Sequence, residues 1–263
     1  MFRITTRQLR TFERMAASDF EEQLVEHCAA FWPRLAAAPG RERLLTIVRA
    51  AIARAAGYGF TLSGPVRLFI ELGFLFGSGF DTDVQHPWAR AYLTRQGETR
   101  PVGPDIEQMD CAAGLHHAAM DALSAIRGPH DRYIHAALRR LLALAAEPSP
   151  SRVDDLPAFA LSALERVHPE KYAFVGEPAL RELFAAGADE AARHGLEAPR
   201  DVLLLVAMMF AYGQGCTSDP IHAWIGRALT DETIATPALR ARRLEERALS
   251  MARDALADME IGQ

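Results

Sequence analysis

The stretch GFTLSGPVRLFIELGFLFGSGFDTDVQHPWARAYLT, residues 59–94, is matched 136 positions later by GLEAPRDVLLLVAMMFAYGQGCTSDPIHAWIGRALT, residues 195–230. The two segments align without a gap, and eleven of their positions are identical. The identical pairs are Gly59/Gly195, Val66/Val202, Leu68/Leu204, Phe74/Phe210, Gly77/Gly213, Gly79/Gly215, Asp83/Asp219, His86/His222, Trp88/Trp224, Leu93/Leu229 and Thr94/Thr230. A similarity at one fixed offset is typical of a supersecondary unit copied within a chain. We therefore expect an internal duplication.

The sequence around this repeat predicts helices. Alanine and leucine are frequent, and no segment alternates apolar and polar residues as a strand does. Capping-box patterns at Thr5 and Ser18 predict a first helix that ends near residue 17 and a second that ends at Pro33. The early parts of the two copies align through His27 and His168. The expected fold is all-α, a tandem duplication of a roughly five-helix bundle with a connecting helix.

This interpretation divides the chain into three regions. Residues 1–128 form the first helical repeat, and residues 156–263 form the second. Residues 129–155 hold the connecting helix and a Pro/Ser linker, whose clearest part is Glu147–Ser151. Proline and serine in such density are typical of a loop. Two bundles joined by such a linker offer a cleft or a broad concave face to a partner.

Composition excludes several classes of protein. A net charge of −5 argues against a nucleic-acid partner, because phosphate binding needs clustered Lys and Arg. Cys28, Cys111 and Cys216 have no CxxC spacing, which favours free thiols in a reducing compartment. The longest apolar stretch, Val202–Gly213, is shorter than the roughly 20 residues of a membrane span. Residues 1–12 show no secretory signal. We expect a cytoplasmic protein without a cofactor.

Acidic, imidazole and indole side chains recur in both copies, as Asp81, Asp83, His86 and Trp88 and as Asp219, His222 and Trp224. Carboxylates close to a histidine are typical of a metal or acid–base site. Aspartates just before a short helix are also typical of N-terminal caps, with the tryptophans packing that helix onto the bundle. Position 81 is a threonine in the second copy, Thr217. We therefore favour structural corners or a binding role, with no catalytic residue and no metal.

Other polar residues receive a structural interpretation. Glu71 lies inside an apolar helix, where we expect it to pair with an arginine of a neighbouring helix. His117 and Asp121 are one helical turn apart, and so are Asp131 and His135. No further ligand follows either pair at metal-site spacing. The sequence therefore predicts an ordinary helix pair at Asp131 and His135, and it leaves a shared metal ligand at His117 and Asp121 as an alternative that we do not favour.

The first copy resembles a group of small helical bacterial proteins. The residues that carry the resemblance are Ile4-Thr5 with Gln8, Asp19–Glu21, Ala55–Gly59, Val66–Phe74, Gly79–Asp83 and Pro87–Ala89. The group is often encoded near type VI secretion or polymorphic-toxin genes. The resemblance covers about residues 1–95, and it reaches the second copy only in outline. It implies a helical fold and a protein partner, and it transfers no catalytic residue.

Three hypotheses for function follow. The preferred one is a non-enzymatic protein-binding module, an immunity protein or an adaptor or chaperone for a secreted toxin encoded by a neighbouring gene. The second is a metal-dependent hydrolase that uses Asp81, Asp83 and His86. The third is a regulator that binds a small ligand, which requires a pocket between the helical layers. The oligomeric state stays open.

Overall fold

A computed structural model describes residues 6–94, 104–148 and 153–261, and the regular secondary structure of these residues is entirely helical. The all-α prediction is confirmed. The predicted capping box at Thr5 and part of the predicted linker lie outside the described residues. The helices are α1 Thr6–Phe31, α2 Pro33–Ala37, α3 Arg41–Gly57, α4 Ser63–Phe76, α5 Pro87–Leu93, α6 Pro104–Arg127, α7 Arg132–Ala146, α8 Leu156–Val167, α9 Pro169–Val175, α10 Glu177–Arg193, α11 Pro199–Tyr212, α12 Trp224–Leu229 and α13 Pro237–Ile261.

The N-terminal segment forms one helix where the sequence predicts two. α1 runs unbroken for 26 residues, so the predicted boundary at Ser18 is wrong. Neither proline nor glycine interrupts this helix, and Ser18 is exposed on it. Glu21, the presumed second member of the capping box, accepts a hydrogen bond from Arg49 of α3 at 2.8 Å. Contacts between helices therefore outweigh the local capping pattern.

The break between α1 and α2 recurs between α8 and α9. Trp32 leaves the helical conformation with a φ of −127°, and Pro33 begins α2 because a first-turn residue needs no N–H donor. His168 does the same with a φ of −141°, and Pro169 begins α9. Trp32 therefore corresponds to His168, again 136 positions apart. The predicted alignment of His27 with His168 is wrong in register.

The helices of the two regions correspond at the offset seen in the sequence. Both ends of α3 and α10 are 136 positions apart, and so are both ends of α4 and α11. Gly77 follows α4 with a φ of 98°, and Gly213 follows α11 with a φ of 97°. Among the described residues the order α1–α6 thus reappears as α8–α13, with six helices in each set instead of the five predicted. We call these sets the first and second halves, and residues 77–86 and 213–222 the corner loops.

Each half has its own apolar core around its most apolar helix. α4 contributes Phe69 and Leu72 to the first core, and α11 contributes Leu205 to the second. A helix that is apolar nearly all round is stable only when other helices cover it, which places α4 and α11 at the centres. Ile221 of the second half packs into the first core. α7 lies between the halves in sequence and packs against α6, α8 and α13.

Candidate functional site

The two corner loops hold each other through reciprocal hydrogen bonds. Asp83 accepts from the backbone N–H of Gln214 at 2.6 Å. Asp219 accepts from the backbone N–H of Ser78 at 2.9 Å. Ser78 and Gln214 occupy corresponding positions, so the two bonds are equivalent. Hydrogen bonds to an ionised carboxylate are stronger than neutral ones, and these two join the halves directly.

The aspartates do not cap the short helices, as the sequence interpretation expected. The second oxygen of Asp83 accepts from the N–H of Gln85 at 2.9 Å, and that of Asp219 accepts from Ile221 at 2.8 Å. The N-terminal cap of α5 is His86, whose side chain makes no capping bond. Burial raises the pKa of Asp83, while the backbone hydrogen bonds oppose that rise. Each carboxylate therefore organises its own loop and the opposite loop together.

The loops approach each other so closely that glycine is required at both crossing points. A Cβ on Gly77 would lie 2.7 Å from the carbonyl oxygen of Tyr212, and one on Gly213 would lie 3.0 Å from that of Phe76. Both glycines also have a positive φ, which side chains disfavour. These two identical positions of the repeat are therefore explained by backbone contact between the halves.

Aromatic side chains pack in the same way beside both loops. Ring centroids are 4.9 Å apart for Phe76 and His86, 5.3 Å for Phe76 and Trp88, 4.8 Å for Tyr212 and His222, and 6.0 Å for Tyr212 and Trp224. Burial lowers the pKa of His86 to about 3, and it also lowers the pKa of His222. Both imidazoles are therefore neutral near pH 7. Among the described residues, no group of three His, Cys, Asp or Glu side chains is placed to hold a metal ion.

Asp81 has a different partner from Asp83. It accepts from the Arg54 guanidinium at 2.6 Å and from the Tyr58 hydroxyl at 2.8 Å. In the second half, Arg54 corresponds to Glu190 and Asp81 corresponds to Thr217. The Thr217 hydroxyl donates a hydrogen bond of 2.7 Å to Glu190. The same link between a helix and its corner loop is thus made with different chemistry. Asp81 ties α3 to the loop and does not meet Asp83 and His86 at a common centre.

The other polar residues singled out in the sequence have local partners. Glu71 binds His27 of α1 at 2.7 Å and lies 3.3 Å from Arg67 of its own helix, so the expected arginine of a neighbouring helix is wrong. His117 bonds a backbone carbonyl of α6 at 2.8 Å. Within the described ranges, neither Glu71 nor His117 belongs to a group of side chains that could hold a metal ion.

The predicted pairing of Asp131 with His135 is also wrong. Asp131 has a φ of 59° and pairs with Arg127 at 2.6 Å. His135 lies 3.7 Å from Glu260 of α13 instead. Because the left-handed turn at Asp131 ends before α7 begins, the two residues do not share a regular helical turn.

A hollow of about 660 Å³ lies between α3 and α10, above the corner loops. Both arginines that line it have a carboxylate partner. Arg54 binds Asp81, and Arg193 lies 2.5 Å from Glu190. The hollow therefore presents little free charge to a ligand.

A second cavity, of about 520 Å³, lies between α6, α7, α8, α11 and α13. We call it the central cavity. Its size falls within the roughly 300–1,000 Å³ typical of small-molecule sites. The wall is mainly aliphatic and includes Ile134, Leu138, Leu141 and Leu144 of α7 and Leu203, Leu204 and Ala207 of α11. All seven are only half-buried; Leu204 and Ala207 also pack against the second core, whereas the four α7 residues face the cavity.

The first half has polar residues where the second half lines the cavity. The cavity residues Ala163, Leu203 and Ala207 correspond to His27, Arg67 and Glu71, which lie 136 positions earlier. In the first half these three form the ionic cluster described above. In the second half two small side chains and one aliphatic side chain replace them. The exchange removes charge and bulk at the place where the cavity opens.

Lys171 of α9 is the chain's only lysine, and it lines the central cavity with 9% of its surface exposed. Sequence reasoning missed it. Its ammonium donates to the carbonyl oxygen of Phe210 and lies 4.6 Å from the centre of that ring. Burial lowers the pKa of Lys171 to about 8. The corresponding residue of the first half is Leu35, which packs against the first core. This correspondence becomes visible once the structure matches Trp32 with His168.

Comparison with models of known protein families, with curated proteins and with solved structures finds no match. Within the described ranges, no helix has both the length and the apolar character that a membrane crossing requires. The resemblance to proteins encoded beside toxin genes therefore stays a prediction. Function must be argued from the cavity and the surface.

Proposed function

We propose that this protein is a non-enzymatic binding protein whose central cavity receives an elongated apolar small molecule. The observation that carries the proposal is the cavity itself, a space of about 520 Å³ among half-buried aliphatic side chains. Half-buried leucines along one face of α7 gain from contact with an apolar ligand, because burial stabilises by about 25 cal/mol per Å² of apolar surface. The small-ligand hypothesis required such a pocket between helical layers.

Filling the cavity tests this proposal. Nile red is uncharged and fluoresces strongly in apolar surroundings, so we expect its emission to rise with the wild-type protein. Ala207→Phe places a ring in the cavity, and we expect it to weaken Nile red binding at least about tenfold, since it takes up the ligand's space. Ala185→Phe is the matched control, because Ala185 is exposed on α10 outside the cavity wall. Equal binding by both variants would contradict the proposal.

A protein partner is the second candidate, and an apolar stripe on α6 favours it. Ile106 is 54% exposed and Met109 is 50% exposed, and Met120 lies on the same side of the helix. A stripe at helical spacing is suited to a groove or helix on another protein. The immunity-protein and adaptor roles, with a toxin from a neighbouring gene, belong to this candidate.

Co-expression with the product of the adjacent gene tests the second candidate. Met109→Glu should abolish co-purification because it places a charge in the stripe, whereas Glu107→Gln should leave it unchanged. Co-purification that survives Met109→Glu would exclude this surface. A cytoplasmic location stays a prediction under either candidate.

We further propose that the two halves arose by tandem duplication. The shared offset of the helix bounds, the equivalent glycines and the reciprocal aspartate bonds all support this origin. The first and second helical repeats predicted at residues 1–128 and 156–263 fit this proposal, and residues 129–155 connect them. α7 then represents the part that was added between the copies.

A further inference from the structure

Lys171 is a buried cation without a carboxylate partner among the described residues. Its ammonium has three donors, and Phe210 provides the one acceptor found for them. Asp83 attracts the ammonium through space, but both oxygens of Asp83 are engaged by backbone N–H groups of the corner loops. A buried charge is costly unless it is paired and hydrogen-bonded. Lys171 therefore has donor capacity that these residues do not use.

The other charges on the cavity wall are already neutralised. Arg127 pairs with Asp131 at 2.6 Å, and Arg200 pairs with Glu245 at 2.7 Å. Glu147 pairs with Arg166 at 2.5 Å. In the described part of the chain, Lys171 is thus the cavity's one cation with no salt bridge. A ligand entering the cavity meets a net positive charge at this point.

Two imidazoles beside Lys171 also have unused polar atoms. Both His86 and His168 line the cavity, and the Lys171 charge contributes to the lowered pKa of each. Nδ1 of His86 and Nε2 of His168 are buried and have no hydrogen-bond partner. Buried polar atoms are nearly always paired, so unpaired ones indicate a missing partner. The polar end of the cavity therefore lacks an acceptor for Lys171 and a partner for these nitrogens.

The fold does not demand a lysine at this position. Leu35 occupies the equivalent place in α2 of the first half, where it packs on the apolar core. An aliphatic residue would satisfy the same helix without the cost of burying a charge. The lysine is therefore best explained by something that it binds.

We infer that the ligand of the central cavity carries a carboxylate, which pairs with Lys171 while its apolar chain lies between α7, α11 and α13. The inference rests on the proposed binding function and names the ligand class: a hydrophobic carboxylic acid of the fatty-acid type. The carboxylate oxygens accept from the ammonium, and His86 and His168 lie beside the resulting ion pair. No bond is made or broken.

Competition between two probes tests the inference. Dodecanoate and dodecanol have the same twelve-carbon chain and differ in the head group. Comparing how well each displaces Nile red therefore measures the effect of the carboxylate charge. We expect dodecanoate to bind the wild-type protein at least about tenfold more tightly than dodecanol, as for a buried charge pair. Lys171→Met should remove this preference, so that dodecanoate and dodecanol displace Nile red at similar concentrations. Lys171→Leu, the residue of the first half, is the second variant.

Selective labelling gives a readout that needs no variant. With ¹³C-lysine the wild-type protein shows a single lysine side chain, because the chain contains only Lys171. Dodecanoate should shift its ¹³Cε resonance, and dodecanol should leave that resonance nearly unchanged.

The outcomes separate the two proposals. If Nile red is not taken up and neither probe binds, the proposed function and the inference both fail. If dodecanoate and dodecanol bind equally and Lys171 is unaffected, the cavity binds apolar molecules but the carboxylate inference is overturned. A preference for dodecanoate that persists in Lys171→Met would also overturn it.

Discussion

The two halves agree where they touch each other and differ at the positions that line the central cavity in the second half. At the corner loops both halves present a glycine of positive φ, an aspartate that binds the opposite backbone, and a histidine beside an aromatic ring. Away from the loops, His27, Arg67 and Glu71 of the first half form an ionic cluster, while the second half has cavity-lining residues there. The contacts between the corner loops thus restrict which residues can occur there. The residues that line the central cavity make no such contacts, so they can change and form a binding site.

The strongest test of this comparison is at the corner loops. Gly77→Ala should cost about 3 kcal/mol or more, because its Cβ would meet the Tyr212 carbonyl oxygen and its φ is 98°. Urea unfolding followed by circular dichroism measures this loss. Gly79→Ala is the control, since no atom lies within 4 Å of its added Cβ, and we expect less than about 1 kcal/mol. Similar costs at both glycines would contradict the close approach of the loops.

A smaller effect is expected where the halves differ at Lys171 and Leu35. Lys171→Leu should stabilise the protein by about 2 kcal/mol at pH 7, because it removes a buried charge. The pKa of Lys171 is lowered from 10.5 in the unfolded chain to about 8, so the unfolded state binds more protons between these values. Wild-type stability should therefore rise from pH 8 to pH 10.5 relative to the variant.

Thermal unfolding of both proteins across this pH range measures the difference. The groups that face Lys171 do not mask it: burial lowers the pKa of His86 and of His168, away from this pH range, and Asp83, whose pKa burial raises, is present in both proteins. Burial also raises the pKa of Tyr212, but Tyr212 is present in both proteins, so its contribution to the pH dependence cancels in the difference. A Lys171→Leu variant that is less stable at pH 7 would show that the lysine is structural.

The smallest effect is expected at the links between helix and corner loop. Arg54→Glu should destabilise by about 1–2 kcal/mol, because it brings a second carboxylate to Asp81. Adding Asp81→Thr reproduces the Glu190–Thr217 link of the second half and should recover about 1 kcal/mol. A double-mutant cycle in urea measures this coupling. Additive losses would mean that the two links are not equivalent.

Helix positions followed from the sequence because local signals coincide with them. Pro199 begins α11 and Gly213 follows its last residue, Tyr212, so both ends of this helix lie at residues that typically start and stop helices. The predicted break at Ser18 failed because a capping pattern in a helix without proline or glycine is overridden by packing. The register error at His168 arose because only the structure shows that Trp32 and His168 are the matching helix breaks.

The site was less accessible to sequence reasoning. The role of Asp83 depends on a backbone N–H more than a hundred positions away, and no local pattern reports such a partner. The cavity depends on how α7 packs, which periodicity alone does not determine. One signal was present in the repeat alignment, the replacement of Glu71 by Ala207. Polar-to-apolar exchanges between copies therefore point to the face that has changed its role.

The bond between Ser78 and Asp219 spans 141 positions, and it constrains how the molecule is made. A ribosome that has released the first corner loop has not yet synthesised the carboxylate that completes it, nor Ile221, which fills its core. The first half therefore cannot complete these contacts until residues 219–221 have been synthesised, so we expect its corner loop and core to become fully ordered late in synthesis.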